Sequence, residues 1–297
     1  MNPRVLNWRE FMQLAGLGGV VLVTGCASTT GAGSTASATD FYFVQLSDCH
    51  WGFDEAAINP DAKGTLKKAV AAVNGMSVPP DFIMFTGDLT HTTDDPRERR
   101  RRMTEFREIV SALKVKNVRY MPGEHDASLD NGKAFKEFFG ETHYTFDHKG
   151  VHFIVIDNVS DPTAAIGDEQ LQWLAADLDK QPKDSRIVVF THRPLFDLYP
   201  QWDWATRDGA KAIALLQTHD NVTVFYGHIH QENHFMTGNV AHHSAKGLMF
   251  ALPVARSQPK RTPIAWDASV PYKGLGFRDV AAEAAPVKYG ITELPVA

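Results

Sequence analysis

Cysteine is scarce in this chain: Cys26 and Cys49 are the only two among 297 residues. A disulfide framework is therefore excluded as the organising principle. Excess charge of one sign is missing too. Thirty Lys and Arg face 35 Asp and Glu, a net charge of -5, so nothing favours nucleic acid as a partner. The N-terminal apolar stretch from Phe11 to Val23 is too short and glycine-rich for a spanning helix. No internal repeat is visible. Apolar residues at 43% and charged residues at 22% give an ordinary globular composition. The length suffices for one large or two small domains with an ample core.

The first segment reads as an export signal. Arg4 and Arg9 precede the apolar stretch, which runs into VTGC at Val23–Cys26. That ending resembles a bacterial lipobox, and the resemblance implies cleavage before Cys26, lipidation of Cys26 and attachment to a membrane at the cell envelope. NWREFMQ resembles a twin-arginine signal with Trp8 in the place of the first arginine. Residues 27–39 are almost all Ala, Ser, Thr and Gly, which cannot bury enough apolar surface to order themselves. They read as a tether, with the folded domain over residues 40–297.

From Phe41 short apolar runs alternate with amphipathic segments. FYFVQL (41–46), DFIMF (81–85), VRYM (118–121), RIVVFTH (186–192) and NVTVFYGHIH (221–230) read as strands, and 144–157 as a hairpin turning at Lys149-Gly150. Helices are expected over 62–74, 96–113, 135–139, 168–179 and 209–217. The basic run Arg97–Arg102 falls on one of these and reads as a solvated helix face. A tail rich in Pro, Gly and Ala begins at Pro253, with an edge strand near Tyr289–Leu294. Interleaved strands and helices imply a layered α/β domain with mixed sheets.

What is abundant is histidine, 13 residues, and spacing separates a few of them from the rest. The strand ends read SDCH (Asp48, His50), TGDLTH (Asp88), PGEHD (Glu124, His125, Asp126), THR (His192) and YGHIH (His228, His230). Five strand ends thus deliver carboxylates and imidazoles to the edge where open α/β sheets bind ligands. Such mixed sets suit borderline divalent metals of the Mn, Zn or Fe type. On an extended segment D-x-H and H-x-H would point both side chains to one face. The donors exceed the needs of one tetrahedral ion; two ions about 3.5–4 Å apart sharing a carboxylate would use them all.

The ordered series DCH, GD, GEHD, H and GHIH, from Phe41 to Leu252, resembles the calcineurin-like metallophosphoesterases. VQLSDCH and FTGDLT look most like their cyclic-nucleotide phosphodiesterase branch. The resemblance implies a layered α/β/β/α sandwich and a metal-dependent hydrolase of phosphomonoesters or phosphodiesters, in which a hydroxide between two metal ions attacks phosphorus. It assigns Asp48, His50 and His230 to one metal and His192, His228 and position 124 to the other, with Asp88 between them. It makes His125 the acid for the leaving group and Asp126 its orienter. The family's asparagine is Glu124 here, which adds a third negative charge on a longer stem. Glu124 could remain a ligand and favour a harder ion such as Fe(III), serve with ordinary metals, or overshoot the site and weaken catalysis. The last option leaves a metal-binding envelope lipoprotein as the alternative reading.

Among other residues, Cys49 reads as a buried filler pointing away from the metals. Arg193, His91, His242 and His243 are candidates for substrate contact. Trp202 and Trp204 read either as a pocket wall or as packing.

Overall fold

The computed structural model describes residues 41–282 and 289–296. The expected leader with Cys26 and the tether lie outside the described residues.

Two sheets form the centre. The first has β1 (Phe41–Leu46), β2 (Phe82–Thr86), β3 (Val118–Met121), β10 (Gly276–Ala282) and β11 (Tyr289–Pro295), in the order β11-β10-β1-β2-β3. The second has β4 (Tyr144–His148), β5 (Val151–Val155), β6 (Arg186–Phe190), β7 (Asn221–Tyr226), β8 (Asn233–Thr237) and β9 (Val240–Ser244), in the order β4-β5-β6-β7-β9-β8. Both are mixed: β1-β2-β3 and β5-β6-β7-β9 run parallel, while antiparallel strands flank them.

The central strands β1, β2, β5, β6 and β7 lack polar alternation because both of their faces are covered. Phe41 and Phe43 of β1, with Phe82 and Met84 of β2, face Phe153, Phe190 and Phe225 of the other sheet in an inner core. The intervening Tyr42, Val44, Leu46, Ile83 and Phe85 pack outward. There they meet α1 (Thr65–Asn74) through Leu66 and Val70, and α2 (Pro96–Val110) through Phe106. On the far side Ile187, Val189, Val222 and Val224 meet α5 (Asp168–Leu178) and α6 (Gly209–Leu216). The order of layers is α/β/β/α, as expected. Two short helices, α3 (Glu124–Ala127) and α4 (Lys133–Phe139), follow β3.

The tail does more than provide an edge. β11 is the edge strand, but β10 lies between it and β1, with all seven residues buried. Arg278 and Asp279 hide this strand in the sequence, since charged residues read as surface. Arg278 is fully buried, and its Nη2 pairs with Glu293 Oε1 at 2.5 Å.

The basic run on α2 is solvated only in part. Arg100 is half-buried and Arg101 exposed, and they pair with Glu137, Glu98 and Glu105. Arg99 is buried against Asp130 at 2.8 Å, and Arg102 Nη1 donates to the carbonyls of His91 (2.8 Å) and Thr92 (3.1 Å). That last contact fixes a loop at the rim of the site.

Candidate metal centre

The C-terminal ends of β1, β2 and β3 meet those of β6 and β7 where the two sheets abut. Gln45 Nε2 donates to Thr86 Oγ1 within its sheet and to the Tyr226 carbonyl of the other. The loops beyond carry the candidate ligands, and most of these have left-handed backbones: Asp48 (φ 54°), His50 (43°), Asp88 (49°), His228 (65°) and His230 (52°). Each such residue stores roughly 1–3 kcal/mol of strain, a feature that clusters at functional sites. This geometry replaces the expected strand alternation. His228 and His230 accordingly part: His228 Nδ1 lies 2.9 Å from Glu124 Oε1, whereas His230 Nε2 lies 3.2 Å from Asp48 Oδ1. An extended segment would have sent them to one side.

Among the described residues five overlapping three-residue groups have donor atoms within 4.8 Å of one another; they include Asp48–His50–His230 and Glu124–His192–His228, and His50 also groups with His91 and His125. Asp88 Oδ2 stands between the Asp48 and Glu124 groups, 3.6 Å from His50 Nε2 and 3.4 Å from His192 Nε2. Glu124 does not overshoot. α3 opens at Gly123 and turns its first side chain inward, so that Glu124 Oε2 reaches His192 Nε2 at 3.0 Å. Gly123 is required because a Cβ there would sit 2.2 Å from the backbone nitrogen of Asp88.

The imidazoles are aimed by their outer nitrogens. His192 Nδ1 donates to the Thr86 carbonyl (2.7 Å), His230 Nδ1 to Phe250 O (2.6 Å) and His228 Nε2 to Asp203 O (2.9 Å). Anchoring of this kind fixes the tautomer and turns the other lone pair toward an ion. Glu124 Oε2 and His192 Nε2 are buried without a hydrogen-bond partner, and His50 Nε2 faces His230 Nε2 at 3.1 Å. Converging acceptors of this kind fit cations.

The electrostatics agree. Burial opposes ionisation of Asp48, but the imidazoles of His230 and His192 hold its carboxyl below the usual range. Burial likewise opposes ionisation of Glu124, yet His228 and His192 hold it well below. Burial works against a charged His192, but Asp88 and Glu124 raise it well above the ordinary imidazole value. His50 is pushed well down by burial and then by neighbouring His125, His230 and His91. The cluster therefore draws positive charge to its carboxylates.

His125 stands above the groups and is partly exposed; its Nε2 is 4.0 Å from Asp88 Oδ2. The Thr92 amide donates to its Nδ1 at 3.1 Å. This leaves the proton on Nε2, facing the site. Asp126 does not orient His125, contrary to expectation. Its buried carboxylate accepts from the amides of Leu89 (2.9 Å), Thr90 (2.8 Å) and Gly123 (3.0 Å) and from Thr90 Oγ1 (2.9 Å). Consecutive residues on a helix point about 100° apart, so neighbours on α3 serve different ends. Asp126 clamps the β2 and β3 loops together.

Residues 41–232 match the sequence profile of the calcineurin-like phosphoesterases. The chain belongs to that family. Membership places it among metal-dependent phosphoester hydrolases. Its relatives include the serine/threonine-protein phosphatase CPPED1 of Mus musculus, 26% identical over 217 residues, covering 64% of this chain and 70% of the relative. A probable glycerophosphodiester phosphodiesterase GpdQ of Arcobacter nitrofigilis is 28% identical over 160 residues, covering 51% and 56%. This chain thus spans little more than half the length of that second relative. Probable cyclic nucleotide phosphodiesterases also match. A dimetal phosphatase from Danio rerio shares the fold at a TM-score of 0.57 and 14% identity, over 87% of this chain and all of that one.

Within the calcineurin-like domain the substrate-contact candidates separate. His91 stacks on His125, ring centroids 4.8 Å apart, and its Nδ1 is 3.4 Å from His50 Nδ1. Arg193 is buried, its Nε 3.8 Å from Glu124 Oε2 and its Nη1 2.7 Å from Asp203 Oδ1. His242 and His243 do not join the site. β9 turns His242 into the packing beside Phe196, with its Nε2 2.7 Å from Thr237 Oγ1, and pairs His243 with His234. Cys49 is fully buried in the outer core. Trp202 and Trp204 are also buried and pack edge-to-face at 5.2 Å.

Two contributors escaped the sequence pattern. Phe250 stacks on His50 and His230 at 4.8 and 4.4 Å. Arg261 donates to the Trp202 carbonyl at 2.8 Å and approaches His228 Nε2 at 3.4 Å. Both line a cavity of ≈ 150 Å³ over the donor groups. No motif marks either residue, because both reach the site only through the fold.

Proposed function

We propose that the protein hydrolyses phosphoesters at a dinuclear metal centre. Asp48, His50 and His230 would hold one ion, and Glu124, His192 and His228 the other, with Asp88 shared. The ions would supply Lewis acidity and activation of water for in-line attack. The remaining work belongs to protein groups. His125, its Nε2–H directed inward by the Thr92 amide, donates a hydrogen bond to the departing oxygen and steadies its developing charge. Arg261 in the cavity lining attracts the phosphate anion. The convergence of two donor groups on one shared carboxylate carries this reading.

Glu124 is read as a retained ligand, supported by its contacts to both His192 and His228. Its added negative charge favours a hard ion, Fe(III) included, at that position. The test combines metal analysis of the purified protein with turnover of phosphomonoesters and phosphodiesters in Mn, Zn or Fe. His125→Ala should lose roughly 100-fold or more in rate while keeping its metals. Full metal occupancy without turnover of any ester would refute the reading.

We further propose export and lipid anchoring at Cys26, on the lipobox-like VTGC. Cys26→Ser should move the protein from the membrane to the soluble fraction; an unchanged distribution refutes the anchor.

A further inference from the structure

Beside the metal cavity lies a larger one of ≈ 570 Å³, within the range of small-molecule sites. The two share His230, Phe250 and Leu252 as lining. The walls of the larger cavity include Ile58, Met249, Ile264, Trp266 and Val270. Ile264 and Val270 are 50% and 42% exposed, apolar side chains open to solvent within a concavity rather than packed in a core.

One segment, residues 253–275, builds half of this wall, and backbone hydrogen bonds tie it down. Ile264 N donates to Ala251 O and Trp266 N to Ala57 O, both at 2.9 Å, and Gly276 N donates to Gly247 O at 3.2 Å. The same segment carries Arg261 and Pro263 into the metal cavity. Residues close in sequence therefore present a guanidinium to one cavity and an aliphatic surface to the next. This segment lies beyond the 41–232 match to the family profile.

We propose that the larger cavity receives the hydrocarbon portion of the substrate, making the protein a hydrolase of phosphoesters of aliphatic alcohols. The phosphate lies over the donor groups beside Arg261, and the chain lies against Ile264, Val270 and Met249. This assignment rests on the phosphoesterase reading. Aliphatic side chains are the largest class in the lining, beside aromatic Trp266 and Tyr272 and charged Glu232, Lys246, Asp267 and Lys273, and this favours an alkyl chain. Each methylene buried should raise kcat/KM roughly three- to fourfold until the cavity fills, mainly through KM.

The test uses the full-length protein loaded with Mn(II). kcat/KM is measured for alkyl phosphates and alkyl methyl phosphates with chains from ethyl to octyl. The expected result is a rise with chain length in at least one series. Ile264→Gln, at a half-exposed position, should lower the octyl-to-ethyl ratio without changing the melting temperature. In parallel, octyl phosphate should alter tryptophan fluorescence at concentrations where ethyl phosphate does not, and Trp266→Phe should abolish that signal. A flat series with efficient hydrolysis of the ethyl esters overturns the substrate assignment and leaves the phosphoesterase reading standing. Octyl-selective binding without turnover of any ester refutes the phosphoesterase reading and the substrate assignment with it.

Discussion

Gly123→Ala tests whether the β2 and β3 loops must touch at the site. The backbone of Gly123 is extended, φ -104° and ψ 174°, so alanine is conformationally acceptable there and the effect is purely steric. The new Cβ would lie 2.0 Å from Asp88 Oδ1 and 2.2 Å from the Asp88 nitrogen. The carboxylate can swing away, but the nitrogen cannot move without its loop. To reach the 3.4 Å of ordinary contact the two loops must part by about 1.2 Å. Overpacking of this kind costs roughly 1–3 kcal/mol, and at about 2–4 °C per kcal/mol for a domain of this size the melting temperature should fall by roughly 2–12 °C. Displacing a reacting group by about 1 Å costs on the order of 100-fold in rate. Under the proposed assignment Asp88 is shared by two metals, so both should also bind less tightly. Gly75→Ala is the control, since its nearest neighbour would stand at 3.4 Å. Calorimetry, metal analysis and turnover on both variants decide the matter. Wild-type melting, metal content and rate in Gly123→Ala would refute the account of how the loops meet.

Three other outcomes follow from particular contacts. Asp126→Asn replaces one acceptor oxygen by a donor and strands at least one buried amide of Leu89, Thr90 or Gly123, so thermal unfolding should show a loss of roughly 1–3 kcal/mol; unchanged stability would disprove the clamp. Glu124→Asn should change the identity or occupancy of bound metal by mass spectrometry, and identical metals and rates in both proteins would count against a ligating glutamate. Burial pushes His242 down to about 4. Its folded value lies below the unfolded 6.5, so stability is complete above pH 6.5 and is lost as pH falls toward 4, by up to ~3 kcal/mol from this ring. Urea titrations at pH 7 and pH 4 should show His242→Gln losing less across that interval than wild type, and equal losses would rule the ring out as the cause.

The fold was legible where periodicity is strong. Strands buried on both faces give unbroken apolar runs such as FYFVQL and RIVVF, and these mark β1 and β6. β10 was not legible, because Arg278 is paired with Glu293, a residue 15 positions later on the neighbouring strand. His242 and His243 looked eligible for the site by their nearness to the GHIH motif. They fall elsewhere because β9 carries its side chains into packing rather than toward the loops at the strand ends.

The sequence by itself determined which chemistry is available: carboxylates and imidazoles at five strand ends, in an order that matches one family. It determined their number and their elements because metal donors are chemically distinctive and follow directly on apolar strand runs. Tertiary structure decided how they divide. Left-handed backbones part His228 from His230, a clash-free Gly123 turns Glu124 toward His192, and Asp126 is spent on amides rather than on His125. Only the fold brings Phe250 and Arg261 to the centre and opens an apolar cavity next to it. Those features depend on contacts between segments far apart in the chain, which local pattern does not encode.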